Sequence, residues 1–375
     1  MKPCSEYIKR VAWSFLLCLC VISNAMAADW VISRGNQRLQ GVTSELLPTA
    51  VKREWVVTLG KEIKASPVVY KQKVVIGTAD GEVFCLTISG KILWRFKTEN
   101  SVEASALILN NRVYVGDLSG NLYAINLNSG KKIWKFTADN QFMSGANWSV
   151  RNGKTYLLIG NYDYFLYCID ASNGKQVWKY EAKNYLNATP AVENGFAVFG
   201  GCDGSLHVVN IGTGKAASVN PLATYVAGSV ALDKGIAYVG DYDGKVSGFV
   251  YGNKRSKWAF SLKDREVPFV AAPSVTKYRV LIGSKDRFLY CLNKSNGKEM
   301  WKVNMGNPVE SSTITDVHNV LACNMRGDLM LLSLTKGAKV WTYSLGSPVV
   351  GNPAYSNGRL FVGTYNGKLY CLTQK

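Results

Sequence analysis

Two histidines, His207 and His318, serve a chain of 375 residues. A histidine-based metal site or a Ser-His-Asp arrangement would have to be built on one of them with suitable partners. His207 alternates with Leu206 and Val208 in a strand-like run, as a structural imidazole would, and His318 falls near a turn. Other signals are missing as well. The many Gly-x-x-x-Gly strings follow strand-like segments with no helical pattern behind them, so they read as hairpins and not as phosphate-cradling loops. Past the first 27 residues, no apolar run approaches the roughly 20 residues of a membrane-spanning helix. Acidic side chains are scarce, 26 against 44 Lys and Arg.

The opening segment is different. Lys2, Lys9 and Arg10 precede a short apolar core, Val11 to Ile22, and Ala25-Met26-Ala27 has the small-x-small form of a signal-peptidase site. Leu17 before Cys18 and Leu19 before Cys20 do not make a lipoprotein site. Residues 1–27 therefore read as a cleaved secretory signal, which predicts an exported chain of the periplasm or cell envelope. That segment carries three basic residues against Glu6, a net of +2, so the remainder keeps +16 of the formal +18. Such a field attracts anionic partners. An anionic surface, a glycan or an acidic protein suits an envelope compartment, whereas scattered lysines and export argue against nucleic acid.

What is abundant is repetition. A Gly closes an apolar run at Gly77, Gly116, Gly160, Gly200, Gly240, Gly283 and Gly363, with Cys323 in the same slot, in steps of 39 to 44 residues. A Trp follows most of these landmarks by 18 residues: Trp134, Trp178, Trp258, Trp301 and Trp341. Trp94 arrives one residue early, and Ser218 interrupts the series. Each unit reads as four short strands joined by Asp-Gly or Asn-Gly turns such as Asp80-Gly81 and Asn366-Gly367. A four-stranded unit at a period near 40 predicts an all-β fold, an eight-bladed β-propeller of four-stranded antiparallel blades. Trp55 has no landmark before it and Gly363 has no Trp after it. The N-terminal segment should thus supply the outer strand of the C-terminal blade and close the ring. Residues 54–375 form the propeller in this reading, and 28–53 a strap or linker with Trp30 as its anchor. Cys85, Cys168, Cys291 and Cys371 recur in one register, and sheets about 10 Å apart keep such thiols too distant to pair.

The units resemble the PQQ-like repeat family and its tryptophan-docking motif. "GDLSGNLYAINLNSGKKIW" from Gly116 to Trp134 carries the likeness best, with Gly160–Trp178 and Gly283–Trp301 close behind. The resemblance implies Trp55, Trp94, Trp134, Trp178, Trp258, Trp301 and Trp341 as inter-blade docking residues. Two kinds of function come with it. Quinoprotein dehydrogenases of the family hold PQQ with calcium on the axis beside a pair of adjacent cysteines, and this chain has no Cys-Cys pair. Non-catalytic envelope scaffolds of the BamB type hold partner proteins, and the expectation here is such a scaffold, possessing no cofactor, monomeric and serving outer-membrane protein assembly.

The axial strands predict a ring of small residues (Ala65, Ala104, Ala188, Gly228, Ala271, Ser311, Gly351), followed by Ser66, Ser105, Thr189, Ser229, Ala272, Ser312 and Asn352, with Asn147 and Trp148 near this level in the third unit. One step earlier, Lys64, Glu103, Asn187 and Glu310 are candidates for the channel mouth. Phe142, Trp148, Tyr185, Arg265 and Phe269, in longer loops, are candidate contact residues, because aromatics and Arg dominate interface hot spots.

Overall fold

A computed structural model describes residues 29–222, 224–252, 255–262 and 266–375. These residues form eight four-stranded antiparallel sheets, a β-propeller with no helix among the described residues. The first blade shows the pattern. Val68–Tyr70 lies innermost, then Lys73–Gly77, Glu82–Thr87 and the outer strand Ile92–Lys97. In the last blade, Ala354–Ser356, Arg359–Gly363 and Lys368–Gln374 are completed by Val51–Thr58 from the start of the chain. Glu54 of that strand receives two hydrogen bonds from Arg359, at 2.7 and 2.9 Å.

The landmark glycines mark close approaches between blades. A Cβ on Gly116 would lie 2.4 Å from Phe142 of the next blade. The equivalent contact at Gly240 is with Phe269. Both phenylalanines are fully buried, so neither is a surface anchor. A side chain that fills the space over a neighbour's glycine has no freedom to meet a partner.

The tryptophans join the blades on the outside. The indole N–H of Trp55, Trp94, Trp134, Trp178, Trp258 and Trp301 donates to a carbonyl of the following blade at 2.9–3.2 Å. The ring of Trp134, for example, covers Gly174, whose φ of 77° and bare Cα both suit the turn beneath it. Trp341 docks on the Pro48 carbonyl at 2.8 Å, because the last blade borrows its outer strand and the strap passes where a turn would stand. At the interruption, Ser218 substitutes for the indole with a hydroxyl that donates to Tyr251 at 3.0 Å.

The cysteine register follows from the same contacts. Cys85, Cys168, Cys291 and Cys371 pair directly with Trp94, Trp178, Trp301 and Trp55, and Ala124 and Gly248 pair with Trp134 and Trp258. A small residue thus sits beside each large one. Only Leu331 beside Trp341 departs from this rule. The six cysteines of the described residues are free, and burial pushes the thiols of Cys85, Cys168 and Cys291 up to about 12.

Residues 30–48 encircle the axis on one face. Trp30 exchanges two 2.9 Å backbone bonds with Val69, and the chain then accepts N–H groups from Ile108, Val192, Leu232, Val275 and Thr315 in turn. Gln37 donates to the Trp148 carbonyl at 2.7 Å, and Leu46 accepts the Tyr355 hydroxyl, so every blade is touched. Innermost strands are sheet edges with unpaired backbone groups, and the strap supplies partners for them.

Truncating Trp134 removes a nine-tenths-buried indole and its hydrogen bond. Trp134→Ala should lower the unfolding free energy by about 3–5 kcal/mol, whereas Ser218→Ala should cost only about 1 kcal/mol. Urea unfolding of the two variants checks the order. Equal losses would show that the indoles are not what joins the blades.

Candidate functional site on the ring axis

The eight innermost strands converge on a polar cavity of about 190 Å³. Its mouth lies on the face opposite the strap. There Glu103, Asn187 and Glu310 line the opening together with Met143, Ala227, Val270 and Val350. Lys64 is bound to Glu103 at 2.7 Å, which raises the Lys64 pKa above its ordinary value. Lys285 stands 3.7 Å from Glu310. Both carboxylates therefore have a local cation, and the side-chain oxygen of Asn187 is buried without a partner.

Just below the mouth, side chains tie neighbouring blades around the circumference. The backbone N–H of Ser66 donates to the Ser105 hydroxyl at 3.1 Å, Gly145 to Thr189 at 3.1 Å, and Thr189 to Ser229 at 3.1 Å. On the other side Ala272 donates to Ser312 at 2.9 Å, Ser312 to the Asn352 side chain at 2.7 Å, and Asn352 to Ser66 at 2.9 Å. The circuit has two gaps, at Gly145 and Ala272, where the residue in the ring has no side-chain oxygen. Gly145 is the third blade's member of this ring. Asn147 and Trp148 lie two and three residues further along: Asn147 bonds the carbonyls of Gln37 and Pro190, and half-buried Trp148 packs on the core. Trp148 thus belongs to the strap side and not to an open contact loop.

The cavity floor comes from the strap. Ser33 donates to Ser66 at 3.3 Å and accepts from Asn352 at 3.0 Å. Arg34, 3% exposed, donates to the carbonyls of Thr313 at 2.8 Å and Pro273 at 2.5 Å and to the Ser274 hydroxyl at 3.2 Å. The unit spacing gave no reason to bring Arg34 here, because it lies outside the repeats.

The mouth face also carries tyrosines. Tyr185 stacks on Tyr162 with ring centroids 4.7 Å apart and touches Tyr164 at 5.3 Å; Tyr225 and Tyr242 form a second pair at 6.0 Å. Tyr164, Tyr185, Tyr225, Tyr242 and Tyr365 are all exposed. Arg265 lies outside the described residues. His207, in the strand slot that holds Tyr123, Tyr167 and Tyr290 in other blades, bonds Asp203 at 2.9 Å and the Tyr180 hydroxyl at 3.0 Å. Those tyrosines likewise bond the aspartate of their own turn, so His207 is part of a repeated turn support.

Ring, docking tryptophans and repeat define a PQQ-like repeat propeller. The family model described as "Outer membrane protein assembly factor BamB" matches residues 52–145, 118–266 and 325–375, and the chain belongs to that family. A curated relative, BamB of Shewanella oneidensis, is 27% identical over 112 residues, a stretch that covers 28% of this chain and 28% of that protein. Among solved structures, BamB from Moraxella catarrhalis superposes with a TM-score of 0.73 at 17% identity, covering 87% of this chain and 98% of its own. A europium-containing methanol dehydrogenase superposes with a TM-score of 0.76 at 12% identity, covering 92% and 98%. At such identities the structural likeness is one of fold.

Filling a gap in the hydroxyl circuit should stabilise the ring. The Ser229 N–H has no backbone partner among the described residues, and Ala272→Ser would place an acceptor in the next ring position. A gain of about 0.5–1.5 kcal/mol is expected, read as a higher urea midpoint, and a loss would show that Ala272 is needed for its size.

Proposed function

We propose that this propeller is an exported, non-catalytic docking scaffold of the cell envelope that holds partner proteins on its mouth face, in the manner of an outer-membrane protein assembly factor. Membership of the BamB family carries the reading. The exposed tyrosines around Tyr185 and Tyr242 suggest where the partner sits. Their rings offer large, stiff, amphipathic contact area, the chemistry that dominates interface hot spots. The strap occupies the other face, which leaves the mouth face for docking. The partner in this reading is an envelope protein, and the positive charge of the chain favours an acidic one. No helix of the described residues is long and apolar enough to cross a membrane.

The axial site does not fit PQQ with calcium. No group of three or more His, Cys, Asp and Glu side chains among the described residues is placed to hold a metal ion. No aromatic ring lines the cavity for a planar cofactor to stack on.

A photo-crosslinking residue at Tyr185 or Tyr242, in the source cell, should give an adduct with an outer-membrane assembly component, while the same probe at Val150 on the strap face should not. Equal labelling from both faces, or adducts that contain no assembly component, would overturn the docking reading. Calorimetric titration with PQQ and calcium should give no saturable heat; one-to-one binding would replace the scaffold with a quinoprotein.

A further inference from the structure

The axial cavity holds more hydrogen-bond donors than its own side chains can use. Ser105, Thr189, Ser229 and Ser312 each spend the hydroxyl oxygen on a backbone N–H of the preceding blade. None of the four donates its own proton to an acceptor among the described residues, and all four line the cavity. A hydroxyl carries one donor in addition to its acceptor sites, so four O–H groups are left to converge on the axis.

Arg34 lines the same cavity from below. Its guanidinium is buried, its Nε–H has no partner, and its three hydrogen bonds go to neutral carbonyl and hydroxyl oxygens. No carboxylate among the described residues is bonded to it. Burial pulls its pKa down to about 9. Removing an arginine from water without an anion is strongly unfavourable.

The acidic residues lie at the other end of the cavity. Glu103 is paired with Lys64 and Glu310 is near Lys285, both at the mouth. Arg34 anchors at Pro273 and Thr313, further down the inner strands. Lys64 also stands 3.8 Å from Glu62, so the charges compensate one another at the mouth, and Arg34 is the cation of the closed end.

From this arrangement we infer that the axial cavity is a binding site for a small oxyanion, with Arg34 as its counter-ion and the hydroxyls of Ser105, Thr189, Ser229 and Ser312 as its donors. Carboxylate, phosphate and sulfate share the required chemistry: a negative charge with several oxygens spread around a centre. The volume admits an ion of that size with a few waters. A monoprotonated ion would also donate a hydrogen bond to the unpartnered oxygen of Asn187 at the mouth. Chloride offers the charge but no set of separate acceptors to meet donors arrayed around a ring. This inference is independent of the docking surface, since it concerns the axis and not the tyrosines.

The test is titration of the purified chain with sodium phosphate, sodium sulfate and sodium acetate against sodium chloride at constant ionic strength, followed by thermal unfolding and calorimetry. At least one of the three oxyanions should raise the unfolding temperature saturably, with one-to-one heat, and chloride should not; which one does identifies the head group. Arg34→Met should weaken that binding at least tenfold. Because Arg34 also holds the strap, a second variant leaves the donors intact: Ala227→Phe plugs the mouth, and it should abolish binding while leaving the unfolding temperature in chloride unchanged. No saturable binding of any of the three, or binding that survives both variants, would overturn the site, the latter placing the ions on surface lysines.

Discussion

The seating of a large side chain on a glycine of the next blade is the contact on which the ring depends. It occurs twice in six of the eight seams. Near the axis, a residue such as Phe142 fills the space over Gly116; near the rim, an indole such as Trp134 covers Gly174 and donates to a carbonyl beside it. Each blade alone is a four-stranded sheet with two apolar faces and cannot bury either one. Only its neighbours complete it, which is why repeat arrays gain stability from interfaces more than from units. The closing seams obey the same rule with borrowed parts. Trp55, from the start of the chain, docks on the first blade as the outer strand of the last, and Trp341 finds its carbonyl in Pro48.

Much of this was legible in the sequence because the inter-blade contact is made by one residue type at one spacing. Period, strand number, ring closure and docking tryptophans follow from Gly and Trp positions alone. Trp94, one residue early, is an instance of a shorter turn: its ring still pairs with Cys85. Where the reading failed, the failure was physical. Phe142 and Phe269 sit in loop-like sequence between strands, and hydrophobic loop residues invite an interface reading. Their burial is set by the glycine across the seam, a contact between positions 26 and 29 residues apart that no local pattern reveals. In the third unit the insertion lies between the axial residues and the landmark glycine, so counting back from Gly160 put Asn147 where Gly145 belongs.

The site was less legible than the fold. Glu103, Asn187 and Glu310 could be placed at the mouth because they share the register of the repeat. Arg34 could not, since it belongs to a segment with no register at all. Its neighbours are fixed by the strap's path around the inner strand edges, and that path is set by backbone groups that every sequence possesses. The tyrosines of the mouth face were missed for a related reason. Tyr162, Tyr242 and Tyr365 occupy turn positions where the fold asks only for polarity, and Tyr185 was the one that loop length pointed to.

The strap therefore does two things through one geometry. Its backbone answers the edge N–H groups that a propeller otherwise leaves to water, and so it must lie close against the axis. That closeness shuts one end of the channel and forces the side chains of Ser33 and Arg34 inward or between blades. A hydrophobic residue at 34 would leave the Pro273 carbonyl without the guanidinium and the Thr313 carbonyl with the Ser274 hydroxyl alone. The guanidinium satisfies both and leaves its charge and its Nε–H unanswered. Two carbonyls are a small return for a buried cation when neutral donors such as Asn or Gln could reach them without the desolvation cost. What Arg34 supplies and a neutral donor does not is the charge itself, placed at the closed end of a polar cavity beneath hydroxyl groups with protons to give.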